Sequence, residues 1–432
     1  MKSLSELLQE LKLLPIGNIY KKTIHGKSYF YYQYFKSGKR YTEKISDDFA
    51  RTLKPQIEKR KEIEKEIKLL KAKEKTLILS NSSNNLSGQI MNGDVPVAKF
   101  ENGVLVDMNE EMVPLVIKRT HSIEKFLELR TIDMSRTNAR ILKKALNIQT
   151  ADDYKIPLYT YALSVSDNYW FKPKHSKTSF EVLRFNSDSF SDMALKGDTS
   201  FFPAKASLTP ELTTTGSFEK GWKLINGVWW LYKSGNNKQL FSELLCYEFA
   251  TLIGIKTAKY EYADGYIRSK NFAEKYNYEP IAALADDNDN YEYVFNILVD
   301  MNESIAKDYL KIIFFDSVIY NLDRHNENLG LLRSKLTGKI YSLAPNFDNN
   351  LALISTVDTL SAPSKDKFIE LFIKFLNKNE RAKELFNKIS FPDISKEDIS
   401  ECIKKVPILI NNSNELIDSI FDRYYYVKDY FK

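Results

Sequence analysis

The chain is 432 residues long, with 43% hydrophobic and 28% charged residues, the balance of a globular protein of two or three domains. No apolar run approaches the ~20 residues that cross a bilayer, so no membrane partner is expected. Four scattered histidines and two cysteines, Cys246 and Cys402, lack ligand spacing; this argues against a zinc site or disulfide framework and for buried thiols in a reducing cytoplasm. The net charge of +6 is uneven: residues 1–75 hold 19 Lys/Arg against 10 Asp/Glu, so the remainder is slightly acidic.

In chain order, MKSLSELLQELKLLP spaces Leu4, Leu7, Leu8 and Leu11 for an amphipathic helix, not a secretory leader. Residues 16–46 alternate aromatic-rich runs with His25-Gly26-Lys27 and Lys36-Ser37-Gly38-Lys39, which predicts a three-stranded antiparallel meander. A charged helix from about Asp47 to Lys75 follows, with Ile57, Ile63, Ile67 and Leu70 as an apolar stripe for a partner helix or the meander. Lys21, Lys22, Lys27, Lys36, Lys39 and Arg40 could meet DNA phosphates, with the aromatics in support; a solvated basic appendage is the plainer reading. LSNSSNNLSGQ, residues 79–89, is a polar linker by composition. A hairpin around Glu101-Asn102-Gly103 comes next, then helices through residue 165 in which Ser135 could cap the run carrying Ala139, Ile141, Leu142 and Ala145.

Residues 208–272 carry nucleotide-site candidates. Gly216 and Gly221 flank Ser217-Phe218-Glu219-Lys220, a loop expected between two strands, where glycine lets backbone N–H groups approach phosphates. After WKLI, Asn226-Gly227 and VWWLYK, Lys233 ends a strand where a cation can contact phosphates. The helix FSELLCYEFATLIG then offers Glu243 and Glu248 at polar positions. A strand lysine held by a helix glutamate is how kinases fix that cation. Taken singly these residues read as surface charges; their order and spacing favour a site.

The segment 273–305 is acidic and rich in asparagine, without the spacing of a calcium loop. AKDYLKIIFFDSVIYN has helical periodicity and ends in NLDRHNENLGLL; a hairpin then returns the chain to Pro345-Asn346-Phe347-Asp348. Antiparallel pairing should bring Asn328 near Asp348. Asp323 can orient a hydroxyl and accept its proton, while Asn328 and Asp348 offer the hard oxygens that magnesium prefers. Helices fill the rest of the chain, ending in an aromatic tail.

NLDRHNENLGLL with LAPNFD resembles the catalytic loop and metal motif of HipA-like serine/threonine protein kinases, although phosphatidylinositol 3/4-kinases share a similar loop. TPELTTTGSFEKGW, WWLYKSG, FSELLCYEFATLIGI and AKYEY with SKNF resemble the HipA-like N-lobe, in order. SVSDNYWFKP and the helices before it resemble the lead-in of members from Gram-positive bacteria. The similarity covers roughly residues 95–432 and leaves out the first 90.

The resemblance implies an α+β, bilobal protein-kinase-like fold behind the small meander and charged helix. The expected domains are 1–78 (meander and helix), 79–90 (linker), 91–165 (small sheet and helical scaffold), 166–272 (N-lobe) and 273–432 (helical C-lobe). It implies ATP and Mg2+ as cofactors, a protein substrate, a growth-inhibiting toxin role and a DNA-binding antitoxin partner. Asp323 and Lys233 would be catalytic; Gly216, Ser217, Phe218, Lys233 and Glu243 would hold nucleotide; Asn328 and Asp348 would hold metal; Arg324 and His325 would brace the loop. Autophosphorylation in the family's phosphate loop points here to Thr213, Thr214, Thr215 or Ser217, with Thr213 first by position. The residues alone also permit a phosphotransferase acting on a small molecule or lipid, or an idle nucleotide- or DNA-binding module working through residues 1–75.

Overall fold

A computed structural model describes residues 4–36, 39–80, 86–148, 152–200 and 208–431. The chain forms two compact units, residues 1–88 with 172–184, and residues 89–171 with 185–432. Among the described residues no helix is long and apolar enough to cross a membrane.

In the smaller unit the leucine-spaced segment is the helix Leu4–Lys12, and the aromatic runs form strands Asn18–Ile24, Lys27–Lys36 and Lys39–Ile45 in meander order. Ser37 and Gly38 of the second expected turn lie outside the described residues. The charged helix runs from Asp47 to Ser80, past the expected end at Lys75. Its Ile63 and Ile67 bury against Leu4 and Leu7, with Leu70 and Val182 packed around them. Arg60 closes the first helix by donating to the carbonyls of Leu11 and Leu14 at 2.8 and 2.7 Å, the capping that orphan C-terminal carbonyls favour. Of the expected linker, 81–85 lie outside the described residues; its ends belong to the long helix and to the strand Gly88–Asn92.

The larger unit begins with an antiparallel sheet in the order Val104–Met108, Val95–Glu101, Gly88–Asn92, Tyr169–Pro173. Asn102 and Gly103 both take positive φ in its expected hairpin turn. The helix Thr137–Ala145 is capped at Arg136 without a side-chain bond, so Ser135 does not cap it. Instead the Ser135 N–H donates to Asp133 Oδ1 at 2.8 Å, forming an Asx turn ahead of the helix.

A second sheet, ordered Tyr260–Ala263, Tyr266–Lys270, Val228–Lys233, Lys220–Ile225, carries the lysine strand next to the helix Asn237–Leu252. A third pairs Tyr276–Pro280, Gly330–Ser334 and Ile340–Leu343, so the hairpin after the polar loop is as expected.

Helical packing fixes what precedes that loop. Phe314 stacks on Phe391 with centroids 4.2 Å apart and meets Tyr424 edge-on at 5.9 Å. Phe249 of the helix Asn237–Leu252 contacts both Phe315 and Tyr424, tying that helix to the C-terminal helical layer. Arg423, fully buried and paired with Asp366 at 2.9 Å, donates to the carbonyls of Ser317 and Val318, each at 2.6 Å. The end of the helix Glu303–Val318 is therefore pinned where the polar loop begins. Cys246 and Cys402 are buried free thiols.

Candidate active site

The polar loop after Val318 is held by Arg324. Its guanidinium makes two contacts with the buried Asp316 carboxylate, at 2.8 and 3.0 Å. It also donates to the carbonyls of Asn328 and Phe347 and to the side chains of Asn346 and Asn349, at 2.6–2.9 Å. One buried cation thus locks the polar loop to the segment after the return strand, and the sequence separation between Asn328 and Asp348 collapses. Asp316 has a structural role, accepting from Arg324 and from Asn321. His325 contributes locally by accepting the Glu327 N–H at 3.3 Å.

Asp323, His325, Asn328 and Asp348 line one cavity of about 260 Å³ with Gly216, Ser217, Phe218 and Lys220. The Asn328 amide nitrogen donates to the Asp323 carbonyl at 2.9 Å, which orients the amide. Burial raises the Asp323 carboxyl above its ordinary value; His325 pulls it down and the Asp348 charge pushes it up again. That direction suits a group that takes a proton. Asp348 sits in the left-handed region at φ 61°, which aspartate tolerates better than most residues. Burial works against its charge, but Lys233 and then Lys220 outweigh that and hold the carboxyl below the usual range.

Lys233 and Glu243 approach Asp348 from the sheet and helix. Lys233 Nζ lies 2.8 Å from Asp348 and 3.6 Å from Glu243. Burial disfavours the Lys233 charge, yet Asp348, Tyr260 and Glu243 together raise its pKa. Glu243 is wholly buried, not on a polar helix face, and burial raises its carboxyl against the pull of Lys233. Its Oε1 accepts the Asn349 N–H at 2.9 Å, while Oε2 has no hydrogen-bond partner. Glu243 therefore joins the lysine to the backbone beside Asp348. Glu248 is elsewhere, paired with Lys405 at 3.1 Å.

The glycine loop differs from its sequence reading in three ways. A short 3-10 helix, Pro210–Thr213, precedes it where a strand was expected. Gly216 is needed at the site, since φ is +88° and a Cβ would meet Lys220 Nζ at 2.5 Å. Gly221 serves packing, because a Cβ there would meet the Ser191 carbonyl oxygen at 2.7 Å. Thr213 is buried, with its hydroxyl donating to the Leu163 and Pro210 carbonyls; Thr214 is also buried and bonded to Pro210. Neither hydroxyl is presented to the cavity in this conformation. Ser217 is exposed and lines the cavity.

Two residues escaped the sequence reading. Lys220 is buried directly across the strand pair from Lys233. Burial pushes its pKa down to about 7, against the attraction of Asp348. The signal was legible: Asn226-Gly227 forms a two-residue turn with both φ angles positive, and the two lysines are equidistant from it, so that turn dictates their pairing. Arg136, also buried, donates to the carbonyls of Thr214, Thr215 and Gly216 at 2.7, 2.6 and 2.5 Å. It holds the glycine loop from behind, and no local pattern announced it.

Comparison with known proteins finds no matching family model and no matching curated protein. Solved structures do match. The Shewanella oneidensis MR-1 toxin–antitoxin structure of HipA, HipB and operator DNA gives a TM-score of 0.52 at 12% identity, covering 78% of this chain and 97% of that chain. The Helicobacter pylori proinflammatory kinase CtkA gives 0.38 at 16% identity, covering 49% of this chain and 90% of that one. The Shewanella match shows the fold: α+β, of the HipA-like kinase kind.

Proposed function

We propose that the protein is an ATP- and Mg2+-dependent serine/threonine protein kinase of HipA type. The observation that carries this is the convergence of Asp323, Asn328 and Asp348 with the glycine loop and Lys220 on one cavity. The residues fit a metal–nucleotide pair. Lys220 and Lys233 both act on Asp348, whose carboxyl stays ionised, and with Glu243 held against Lys233 these two buried amines are the groups a polyphosphate would pair with. Lys220 and Lys233 would hold phosphates, with Glu243 positioning Lys233, and the loop of Gly216, Ser217 and Phe218 would cover them. The oxygens of Asn328 and Asp348 would hold the metal. When bound, ATP supplies the phosphoryl group and magnesium offsets its charge. Asp323 would orient the substrate Ser or Thr hydroxyl and take its proton as the oxygen bonds to γ-phosphorus; the bridging oxygen leaves with ADP.

In this reading residues 166–272 form the N-lobe and 273–432 the C-lobe, behind the scaffold 91–165. The protein acts in the cytoplasm as a growth-inhibiting toxin against a protein substrate. A DNA-binding antitoxin is its partner, and residues 1–75 add a nucleic-acid contact. Support for the partner is by analogy of fold, since the Shewanella structure contains HipB and operator DNA.

The test is purified protein with Mg2+ and γ-labelled ATP, with and without cell lysate, beside Asp323→Asn. Label on protein that falls about 100-fold or more in the variant is expected for loss of a general base. Label confined to small molecules or lipid would replace the protein-kinase reading, and ATP binding without transfer would overturn the enzyme reading. Induced expression should arrest growth for the wild type and not for Asp323→Asn.

A further inference from the structure

The meander sorts its side chains in a way the composition of residues 1–75 does not reveal. Paired residues of an antiparallel sheet share a face. The register places Tyr20, Tyr31 and Lys44 in one row, Lys22 with Tyr29, Gln33 with Thr42, and Phe35 with Arg40, all on one face. Lys27 belongs to that face too, opposite Ile24. Four aromatics and four cations therefore share it. The single carboxylate between residues 18 and 45, Glu43, points to the other face with Tyr32 and Tyr34, where it accepts from the Tyr34 hydroxyl at 2.7 Å. Tyr32 on that second face donates to the Ile16 carbonyl at 2.6 Å and feels the charge of Arg60 on the long helix.

The carboxylate-free face is open to solvent. Phe35 is 64% exposed and Tyr20 37% exposed, and Lys22, Lys27, Arg40 and Lys44 are exposed. Tyr20 stacks on Tyr31 with centroids 5.6 Å apart and planes 16° from parallel. Lys44 Nζ rests 3.6 Å from the centre of the Tyr29 ring. We propose that this face binds a single-stranded nucleic acid, its bases stacking on Phe35 and the Tyr20–Tyr31 pair and its phosphates lying against Lys22, Lys27, Arg40 and Lys44. This rests on the reading of residues 1–75 as a nucleic-acid contact and narrows it.

Unstacked bases are favoured over a duplex by side-chain chemistry. In a duplex the ring faces are already occupied, and sequence is read by polar groups at base edges. Here the neutral polar groups in the paired rows form one row, Asn18, Gln33 and Thr42, while the other rows carry rings and cations. Aromatic platforms with interleaved cations are how sequence-tolerant single-strand binders work. Stacking and phosphate contact are available to DNA and RNA strands alike.

The experiment is fluorescence anisotropy of the full chain with labelled oligo(dT) and oligo(U) of about 20 nucleotides, and with a mixed-sequence duplex of the same length. Both single strands should bind at least about tenfold tighter than the duplex, with a salt slope near −3 for roughly four phosphates. Phe35→Ala, at an exposed position that the fold does not need, should weaken them about tenfold. Lys22→Glu with Lys44→Glu should weaken binding and flatten the slope. Lys21→Glu with Lys39→Glu makes the same charge change off this face and should stay near wild type. Duplex binding as tight as single-strand binding overturns this proposal and leaves the broader DNA contact standing. No binding of any probe overturns both. Equal loss in the off-face control overturns the assignment of the face.

Discussion

Arg324 and Arg136 each organise one of the two loops that line the cavity, and the two arginines are compensated differently. Arg324 sits against the buried Asp316 carboxylate; burial opposes its charge, but Asp316 more than restores it, and its pKa rises. Arg136 reaches only backbone carbonyls through its hydrogen bonds to the glycine loop. Glu219 and Asp133 offset its burial incompletely, and its pKa falls to about 10. The polar loop of Asp323 and Asn328 is thus held by a satisfied ion pair, and the glycine loop by an incompletely compensated cation bonded to dipoles. For the proposed kinase activity the metal and base residues would have to stay fixed, and a covering loop would have to open for nucleotide exchange. The two arginines divide those requirements.

The largest expected effect comes from breaking the satisfied pair. Arg324→Ala would leave Asp316 buried without its partner, which typically costs roughly 3–5 kcal/mol. It would also free the Asn346, Phe347 and Asn349 segment that carries Asp348. Thermal unfolding should show a drop in stability of that order, with phosphoryl transfer abolished. Arg136→Ala should do less to stability, about 1–3 kcal/mol for hydrogen bonds made by a charged group. Its main effect should fall on nucleotide binding: a raised KM for ATP with kcat less changed. Equal destabilisation by the two substitutions would break the comparison.

The same contrast explains what was legible in the sequence. Around the polar loop, side-chain chemistry and local geometry coincide. Asp323, Asn328 and Asp348 are close along the chain or joined by one hairpin, so hydrophobic periodicity and turn residues were enough to bring them together. The glycine-loop side is assembled from segments far apart. Glu243 looked like a surface charge because a helix position is polar or apolar by what packs on it, and here Asn349 and Lys233 do so. Thr213 looked available because its position in the loop says nothing about Leu163, whose carbonyl holds its hydroxyl. Arg136 reaches its loop across 78 to 80 positions, a relation without period or spacing. Lys220 is the exception, since the Asn226-Gly227 turn encoded its position opposite Lys233.

Lys220 also gives the subtlest way to sharpen the comparison. Its pKa of about 7, lowered by burial from 10.5, means that the folded protein releases this proton well before the unfolded chain does. The sign follows from linkage: between about pH 7 and 10.5 the unfolded state binds the extra proton, so this group makes stability rise with pH across that window. Below pH 7 both states are protonated and the full penalty of a buried ammonium remains. Lys220→Met should therefore be stabilising at pH 6–7, with the gain shrinking toward pH 10, as read from denaturant midpoints across that range. Nucleotide binding should respond in the opposite sense. Phosphates favour the protonated lysine, so wild-type ATP affinity should weaken by up to about tenfold per pH unit above 7, and in Lys220→Met that dependence should flatten while affinity at pH 6 falls. If the wild type and Lys220→Met show parallel ATP profiles, Lys220 does not touch phosphate, and Lys233 would be left as the phosphate cation.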